Sequence, residues 1–221
     1  MNRPFTVTID GPAGVGKSTI ARRVAEALGI AYLDTGAMFR TLALHLGSEA
    51  QSLAPEDLAR RLEGYSFSLL GAGEKTTLFC NGEKVGQEIR TEEAAMLAAR
   101  AGAMREVRQS LKKAQQAMGR DVSLVAEGRD MGTEVFPDAR YKFFLVADPK
   151  VRAERRYLQL QEMGKPADLP LLLAQITERD EADTRRSIAP LRPAEDARII
   201  DTSHMGIDDV FMEIMNQIER S

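Results

Sequence analysis

Gly11-Pro12-Ala13-Gly14-Val15-Gly16-Lys17-Ser18 is the stretch on which the fold of this chain turns. The octet has the pattern G-x-x-x-x-G-K-[ST], whose meaning depends on its flanks. Before it, Phe5 to Ile9 alternates β-branched and apolar residues and stops at Asp10-Gly11, the pattern of a buried strand. After it, the spacing predicts a helix over 17–28, with Ile20, Val24, Ala27 and Leu28 on one face and Gly29 ending it. A strand, a glycine-rich turn and a helix in that order make a phosphate cradle. The glycines let the backbone curl until its N–H groups converge on phosphate oxygens. The helix N-terminus adds the positive end of its dipole. Lys17 is expected to stand exposed in the cradle and reach the β- and γ-phosphates, and the Ser18 hydroxyl to ligate Mg²⁺. The candidate ATP-binding residues are Gly11, Pro12, Ala13, Gly14, Val15, Gly16, Lys17, Ser18 and Thr19.

The chain has 221 residues, enough for one sizeable core and a smaller attached lobe. Hydrophobic residues make up 43% and charged residues 29%, an ordinary globular composition. A net charge of −3 argues against a broad footprint for nucleic acid polymers, so any bound anion must be caught by a local cluster of Arg and Lys. The lone cysteine, Cys80, makes no internal disulfide and no Cys-based zinc site, and is expected to be a buried thiol. The N-terminal stretch does not have the form of a signal peptide, and no run approaches the ~18 apolar residues that read as a membrane span. A cytoplasmic, monomeric enzyme without membrane partners is the expectation.

Beyond the cradle, strands and helices alternate. Ala31 to Leu33 reads as a second strand closed by Asp34-Thr35-Gly36, and Met38 to Leu46 as a helix. Gly64 to Glu88 alternates polar and apolar residues around Asn81-Gly82, a hairpin signal, and is expected to be a small antiparallel sheet. One long helix is predicted over 92–119, with Leu97, Met104, Leu111 and Met118 recurring every seven residues as core. Val122 to Ala126 and Tyr141 to Ala147 read as the third and fourth strands, with Pro149 opening the next helix. A charged helical stretch runs to about Arg186, Ala197 to Ile200 is the fifth strand, and Ile207 to Ile218 closes the chain. The expected fold is α/β, a five-stranded parallel sheet flanked by helices, with an antiparallel-sheet insert and a helix-rich charged stretch. The expected division is a core of 1–62, 120–150 and 187–221, an inserted lobe of 63–119 and a charged helical segment of 151–186.

Parallel sheets bind ligands beyond the carboxyl ends of their strands. The polar groups that follow the strands fit that rule: Gly11 to Ser18 after the first, Asp34-Thr35-Gly36 after the second, Glu127 to Asp130 after the third. Arg40 lies one helical turn beyond Gly36, and Arg129 follows the third strand; guanidinium forks suit phosphate oxygens. Asp34 reads equally well as a helix cap. Glu127 and Asp34 are candidates for orienting water on the metal. Arg152, Arg155 and Arg156 share a helix face by their spacing. A nucleotide-hydrolysing switch is the runner-up class. The Asn-Lys-x-Asp signature of guanine recognition is absent, since none of the three asparagines, Asn2, Asn81 and Asn216, precedes a lysine.

The chain resembles the bacterial cytidylate kinases in Asp34-Thr35-Gly36-Ala37-Met38-Phe39-Arg40, in Glu127-Gly128-Arg129-Asp130-Met131-Gly132-Thr133, in Val135-Phe136-Pro137-Asp138-Ala139, and in Glu178-Arg179-Asp180 with Ala189-Pro190-Leu191. Order and spacing agree along nearly the whole chain, and the resemblance implies a P-loop kinase fold with a nucleoside-monophosphate-binding lobe over 63–119 and a helical lid over 151–186. The resemblance implies ATP-dependent phosphoryl transfer to CMP or dCMP, with UMP or another small acceptor as the alternative. It implies that Thr35 lies among the CMP-binding residues and that Arg40, Arg129 and Arg186 grip the acceptor phosphate. Arg179 and Asp183 match residues near the ribose, and Arg108 and Asp130 match those that read the cytosine edge. Arg155 and Arg156 match a lid closing over ATP, which makes Lys17, Arg129, Arg155, Arg156 and Arg186 the candidate catalytic group. An ionised Asp130 accepts hydrogen bonds only, which suits the exocyclic amine of cytosine. At Ala99 the resemblance leads to an expected serine, whose base contact alanine cannot make. Arg185 stands beside Arg186 as a rival for the phosphate.

Overall fold

The computed structural model describes residues 3–219. Five strands form one parallel sheet: β1 (Thr6–Asp10), β2 (Ala31–Asp34), β6 (Leu124–Gly128), β7 (Tyr141–Val146) and β8 (Arg198–Asp201), in the order β2-β6-β1-β7-β8. Every residue of β1 is buried, as a central strand covered on both faces requires. The third strand starts and ends two residues later than its sequence pattern suggests, so Glu127 belongs to β6 rather than to the loop after it. Register aligns Asp34 with Glu127 and Asp10 with Gly128. The carboxyl ends of β2, β6 and β1 therefore place two acids and the start of the cradle in one row.

Side chains of β2 and β6 alternate between two apolar layers. Leu33, Leu124 and Ala126 join Met38, Leu42 and Leu46 of α2 (Thr35–Leu46), Leu58 and Leu62 of α3 (Pro55–Leu62), and Val107 and Leu111 of α5 (Arg105–Asp121). Tyr32 and Val125 face the other way, with Ile20 and Val24 of α1 (Lys17–Leu28) and Val210 and Ile214 of α8 (Ile207–Glu219). On α1 the buried alanines are Ala21 and Ala25; Ala27, expected on that face, is exposed. The helix α3 was not expected from the sequence, although Pro55 at its first turn with Glu56 and Asp57 is a common start signal.

The insert is a three-stranded antiparallel sheet of β3 (Phe67–Leu70), β4 (Thr77–Cys80) and β5 (Glu83–Lys84). Asn81 and Gly82, with φ of 52° and 81°, make the two-residue turn that twisted hairpin strands favour. Cys80 is buried. The β3–β4 connection clasps the core: Gly73 N–H donates to Ile30 O at 2.8 Å, Glu74 N–H to Glu26 Oε2 at 2.8 Å, and Tyr32 N–H to Thr76 Oγ1 at 3.1 Å.

The single helix expected over 92–119 is two helices, α4 (Glu92–Ala101) and α5. Met104 is extended, with φ −88° and ψ 126°, and caps α5. Gly102, a poor helix former, sits in the break, and the turn is closed by Ala103 N–H to Arg100 O and Met104 N–H to Ala101 O. The seven-residue apolar stripe survives the break because Leu111 and Met118 are buried while Leu97 and Met104 pack against the same cluster. The break also puts Arg108 in the first turn of α5, where Nη1 donates to Gly102 O at 3.2 Å. After β7, α6 (Pro149–Glu162) and α7 (Leu169–Arg185) pack as a pair, and no residue of α7 is buried.

Candidate active site

The cradle begins where β1 ends. Gly11, Gly14 and Gly16 have φ of 146°, 76° and 94°, a backbone that side chains rarely adopt. At Gly11 a Cβ would collide with the carbonyl oxygen of Leu145 in β7. The loop thus curls tightly onto the sheet edge, and Lys17 opens α1. Lys17, expected to stand exposed in the cradle, is 6% exposed, with Nζ donating to Pro12 O at 2.6 Å. Burial lowers its pKa well below the ordinary lysine value; Arg129 lowers it further, while Glu127 and Asp10 oppose the shift.

Ser18 and Glu127 come together from opposite ends of the sequence. The Ser18 hydroxyl donates to Glu127 Oε2 at 2.9 Å, and the Tyr32 hydroxyl donates to Oε1. Thr35 Oγ1 donates to Glu127 O at 2.7 Å. Glu127 is buried, and burial followed by nearby Asp34 raises its pKa, while Lys17 and the two hydroxyls pull it down. The Tyr32 phenol is held un-ionised by burial and then by Glu127. A hydroxyl beside a carboxylate at the mouth of a phosphate cradle fits Mg²⁺, which takes few protein ligands and keeps several waters. Among the described residues no cluster of three or more His, Cys, Asp or Glu could hold an ion by itself.

Next to the cradle, arginines and aspartates interlock. Arg108 Nη2 pairs with Asp130 Oδ2, both side chains nearly buried. Arg129 Nε donates to Asp183 Oδ2 at 2.8 Å. Arg186 lies 3.5 Å from Asp183 and 3.6 Å from Asp130. Arg40 pairs with Asp34 at 3.2 Å, while Asp34 also caps α2 by accepting from Ala37 N–H at 2.8 Å. Arg179 is exposed on α7, near enough to feel Arg129, Asp183 and Arg40. Burial first, then Arg108, lowers the Arg186 pKa. Arg40 Nε and Arg186 Nη2 are buried donors without a hydrogen-bond acceptor. Such a site carries a surplus of guanidinium donors and suits an anion. Arg185 is exposed and pairs with Glu181, whereas Arg186 turns inward. A cavity of about 440 Å³ opens beside Asp130, with Phe39, Arg108, Met131 and Ile188 among its walls. Ala99 is exposed on α4.

The arginines of α6 do not act as one face. Arg152 is 2% exposed and points inward: Nη1 donates to Ala13 O at 2.9 Å, Nε to Ala147 O at 3.0 Å, and both Nη groups pair with Asp180 of α7. Arg155 donates to Thr202 O at 2.6 Å, at the end of β8. Arg156 is exposed and bonded to Gln159. Helical spacing gives direction around an axis but not which groups wait on the neighbouring elements.

Asp10, Tyr32 and Asp180 are site neighbours to which sequence reasoning gave no role. Asp10 had one visible signal, an acid closing an otherwise apolar strand just before the cradle. It is 4% exposed and accepts from Met131 N–H at 2.9 Å and Gly132 N–H at 2.8 Å. Burial raises its pKa to about 6, against those two hydrogen bonds, which lower it.

The profile of the family described as cytidylate kinase matches residues 7–220. A cytidylate kinase of Nitratidesulfovibrio vulgaris (strain Hildenborough) is 59% identical over 212 residues, covering 96% of this chain and 91% of its own. Those of Oleidesulfovibrio alaskensis and Maridesulfovibrio salexigens are 55% and 50% identical, covering 99% and 100% of this chain and 100% and 99% of their own. A crystal structure of an uncharacterized protein from Eubacterium ventriosum superposes with a TM-score of 0.53 at 12% identity, covering 99% of this chain and 100% of its own; this likeness concerns the fold alone. With its cradle, its acid row and its arginine cluster carried on a sequence matched from the first strand to the last helix, the chain belongs to the cytidylate kinase family.

Proposed function

We propose that this protein transfers the γ-phosphoryl group of ATP to CMP or dCMP, giving CDP or dCDP. The observation that carries the reading is the adjacency of two anion sites at one sheet edge. The cradle after β1 supplies Lys17 and Ser18, and the cluster after β6 supplies Arg129 and Asp130, close enough that Arg129 depresses the Lys17 pKa. A hydrolase needs only the first site. Names of relatives up to 59% identical agree with the reading.

The acceptor phosphate is already an anionic nucleophile, so the reaction needs positioning and charge stabilisation rather than a general base. Arg40, Arg129 and Arg186 hold that phosphate, with Thr35 beside them. Arg179 and Asp183 hold the ribose, and Asp130, braced by Arg108, accepts from the cytosine amine. Lys17 leaves the Pro12 carbonyl for the transferring phosphoryl oxygens. Ser18 would hold Mg²⁺, with Glu127 and Asp34 placed to orient water on it, and the ion would supply charge neutralisation at the ATP phosphates. The lid, residues 151–186, closes by exchanging the Thr202 contact of Arg155 and the solvent around Arg156 for ATP oxygens, which excludes water. Residues 63–119 form the acceptor lobe. The protein works as a cytoplasmic monomer; among the described residues no helix is long and apolar enough to cross a membrane.

The test is an assay with ATP and Mg²⁺ across CMP, dCMP, UMP, AMP and GMP, with products identified. CDP and dCDP are expected as the leading products. Equal turnover of all five acceptors would refute the pyrimidine reading.

A further inference from the structure

Asp10 sits where the two halves of the site meet. It is the last residue of β1, and the next residue begins the phosphate cradle. Its carboxylate points the other way, into the turn after β6. There it accepts from two consecutive backbone N–H groups, Met131 at 2.9 Å and Gly132 at 2.8 Å. Those two residues directly follow Arg129 and Asp130. The turn itself is a single π-helical turn, with Val135 N–H donating to Asp130 O at 3.2 Å and Phe136 N–H to Met131 O at 2.7 Å. Such turns are rare and cluster at functional sites. The opening N–H groups of this one have Asp10 as acceptor.

The surroundings leave little slack. A Cβ at Gly132 would lie 3.1 Å from Thr8 Oγ1, 3.4 Å from Lys142 Cδ and 3.5 Å from Asp10 Oδ2. Thr8 Oγ1 is itself buried without a hydrogen-bond partner. A carboxylate held out of water at this cost, with a neutral amide of nearly the same shape available, points to a task that needs two acceptors on one side chain.

We propose that Asp10 is a positioning residue for acceptor recognition. By fixing Met131 and Gly132 to the end of β1, it sets the aim of Arg129 and Asp130 relative to the phosphate cradle. The proposal rests on the reading that Arg129 and Asp130 contact the acceptor nucleotide. It separates Asp10 from the donor side: loss of its second acceptor atom loosens the turn but leaves the cradle, whose shape is set by Gly11, Gly14 and Gly16.

The experiment compares Asp10→Asn with Asp130→Asn in steady-state kinetics for CMP and ATP separately. Amide hydrogen exchange at Met131 and Gly132 is followed in the free protein. Asn offers one acceptor and presents an N–H₂ to the second backbone donor. The expected result is faster exchange at both amides in Asp10→Asn, a KM for CMP raised roughly tenfold to a hundredfold, and a KM for ATP changed less than about threefold. If Asp130→Asn raises the CMP KM but Asp10→Asn does not, or if Asp10→Asn raises both KM values alike, the positioning role is overturned. If neither variant moves the CMP KM while exchange quickens, the acceptor reading falls and takes the proposal with it. Should Asp10→Asn fail to fold, Gly132→Ala presses on the same contact from the other side and must show the same selective rise in CMP KM.

Discussion

Arg108 and Asp130 are 22 residues apart in sequence, yet their side chains, 11% and 6% exposed, form an ion pair beside the cavity next to β6. The pair occupies Oδ2 and leaves Oδ1 toward Arg186 at 3.6 Å, and a carboxylate offers acceptors only. An acceptor-only edge suits the amine of cytosine and repels the carbonyl of uracil. A hydrogen bond to a charged group is worth about 1.5–3 kcal/mol, or one to two decades of rate. Asp130→Asn is expected to flatten the CMP-to-UMP ratio of kcat/KM, since an amide donates to uracil. The parent ratio is expected to rise when Ala99→Ser restores a hydroxyl. An Asp130→Asn ratio equal to that of the parent would show that Asp130 does not read the base.

Lys17 is buried with a depressed pKa and an N–H donor parked on Pro12 O. Lys17→Met removes the buried charge while keeping the apolar stem. Transfer is expected to fall by about 10²–10³-fold or more, the scale for losing one transition-state donor. The thermal midpoint is expected to stay level or rise. Activity within threefold of the parent, in a folded variant, would remove Lys17 from the chemistry.

Asp10 makes a pH-dependent prediction that does not involve turnover. Its carboxyl titrates near 3.8 when unfolded and at about 6 when folded, through burial. Between those values the unfolded chain is ionised while the folded one still holds its proton. The raised folded pKa therefore stabilises the fold at low pH, and that contribution is lost as pH rises through about 6. Asp10→Asn lacks this loss. From pH 4 to pH 8 the stability difference should move in favour of Asp10→Asn by about 2 kcal/mol, measured by urea unfolding of both proteins. A difference independent of pH would mean that Asp10 is not buried as an acid.

The lid is expected to answer to ligands. No residue of α7 is buried, and Leu171 and Met163 are each 56% exposed. Few apolar contacts mean low local stability. Limited proteolysis should cut within 156–185 of the free protein and be slowed severalfold by ATP and CMP together. Cutting that ignores both ligands would contradict closure.

Much of the architecture was written in local pattern. The octet Gly11 to Ser18 carries its meaning in spacing, and so does the alternation that marks β1. Asn81-Gly82 names its own hairpin turn. What spacing does not carry is partnership across the fold. The break at Gly102 follows from the packing of α4 on α2 and α5 on α3, each helix going its own way. Arg152, Arg155 and Arg156 look equivalent on a helical wheel, but Asp180 and Ala13 O draw in the first, Thr202 O takes the second, and the third stays in solvent. Lys17 looked free because its resting acceptor, Pro12 O, is a backbone atom. Tyr32 read only as part of the second strand, and the strand register brings its hydroxyl to Glu127.

The central claim, that two adjacent anion sites make this protein a kinase and not a nucleotide hydrolase, is tested most directly by ADP formation from ATP and Mg²⁺ with and without CMP. The account predicts that ADP release depends on CMP, rises at least a hundredfold when CMP is added, and matches CDP formation one for one. ADP released equally fast without CMP, or without matching CDP, would contradict it.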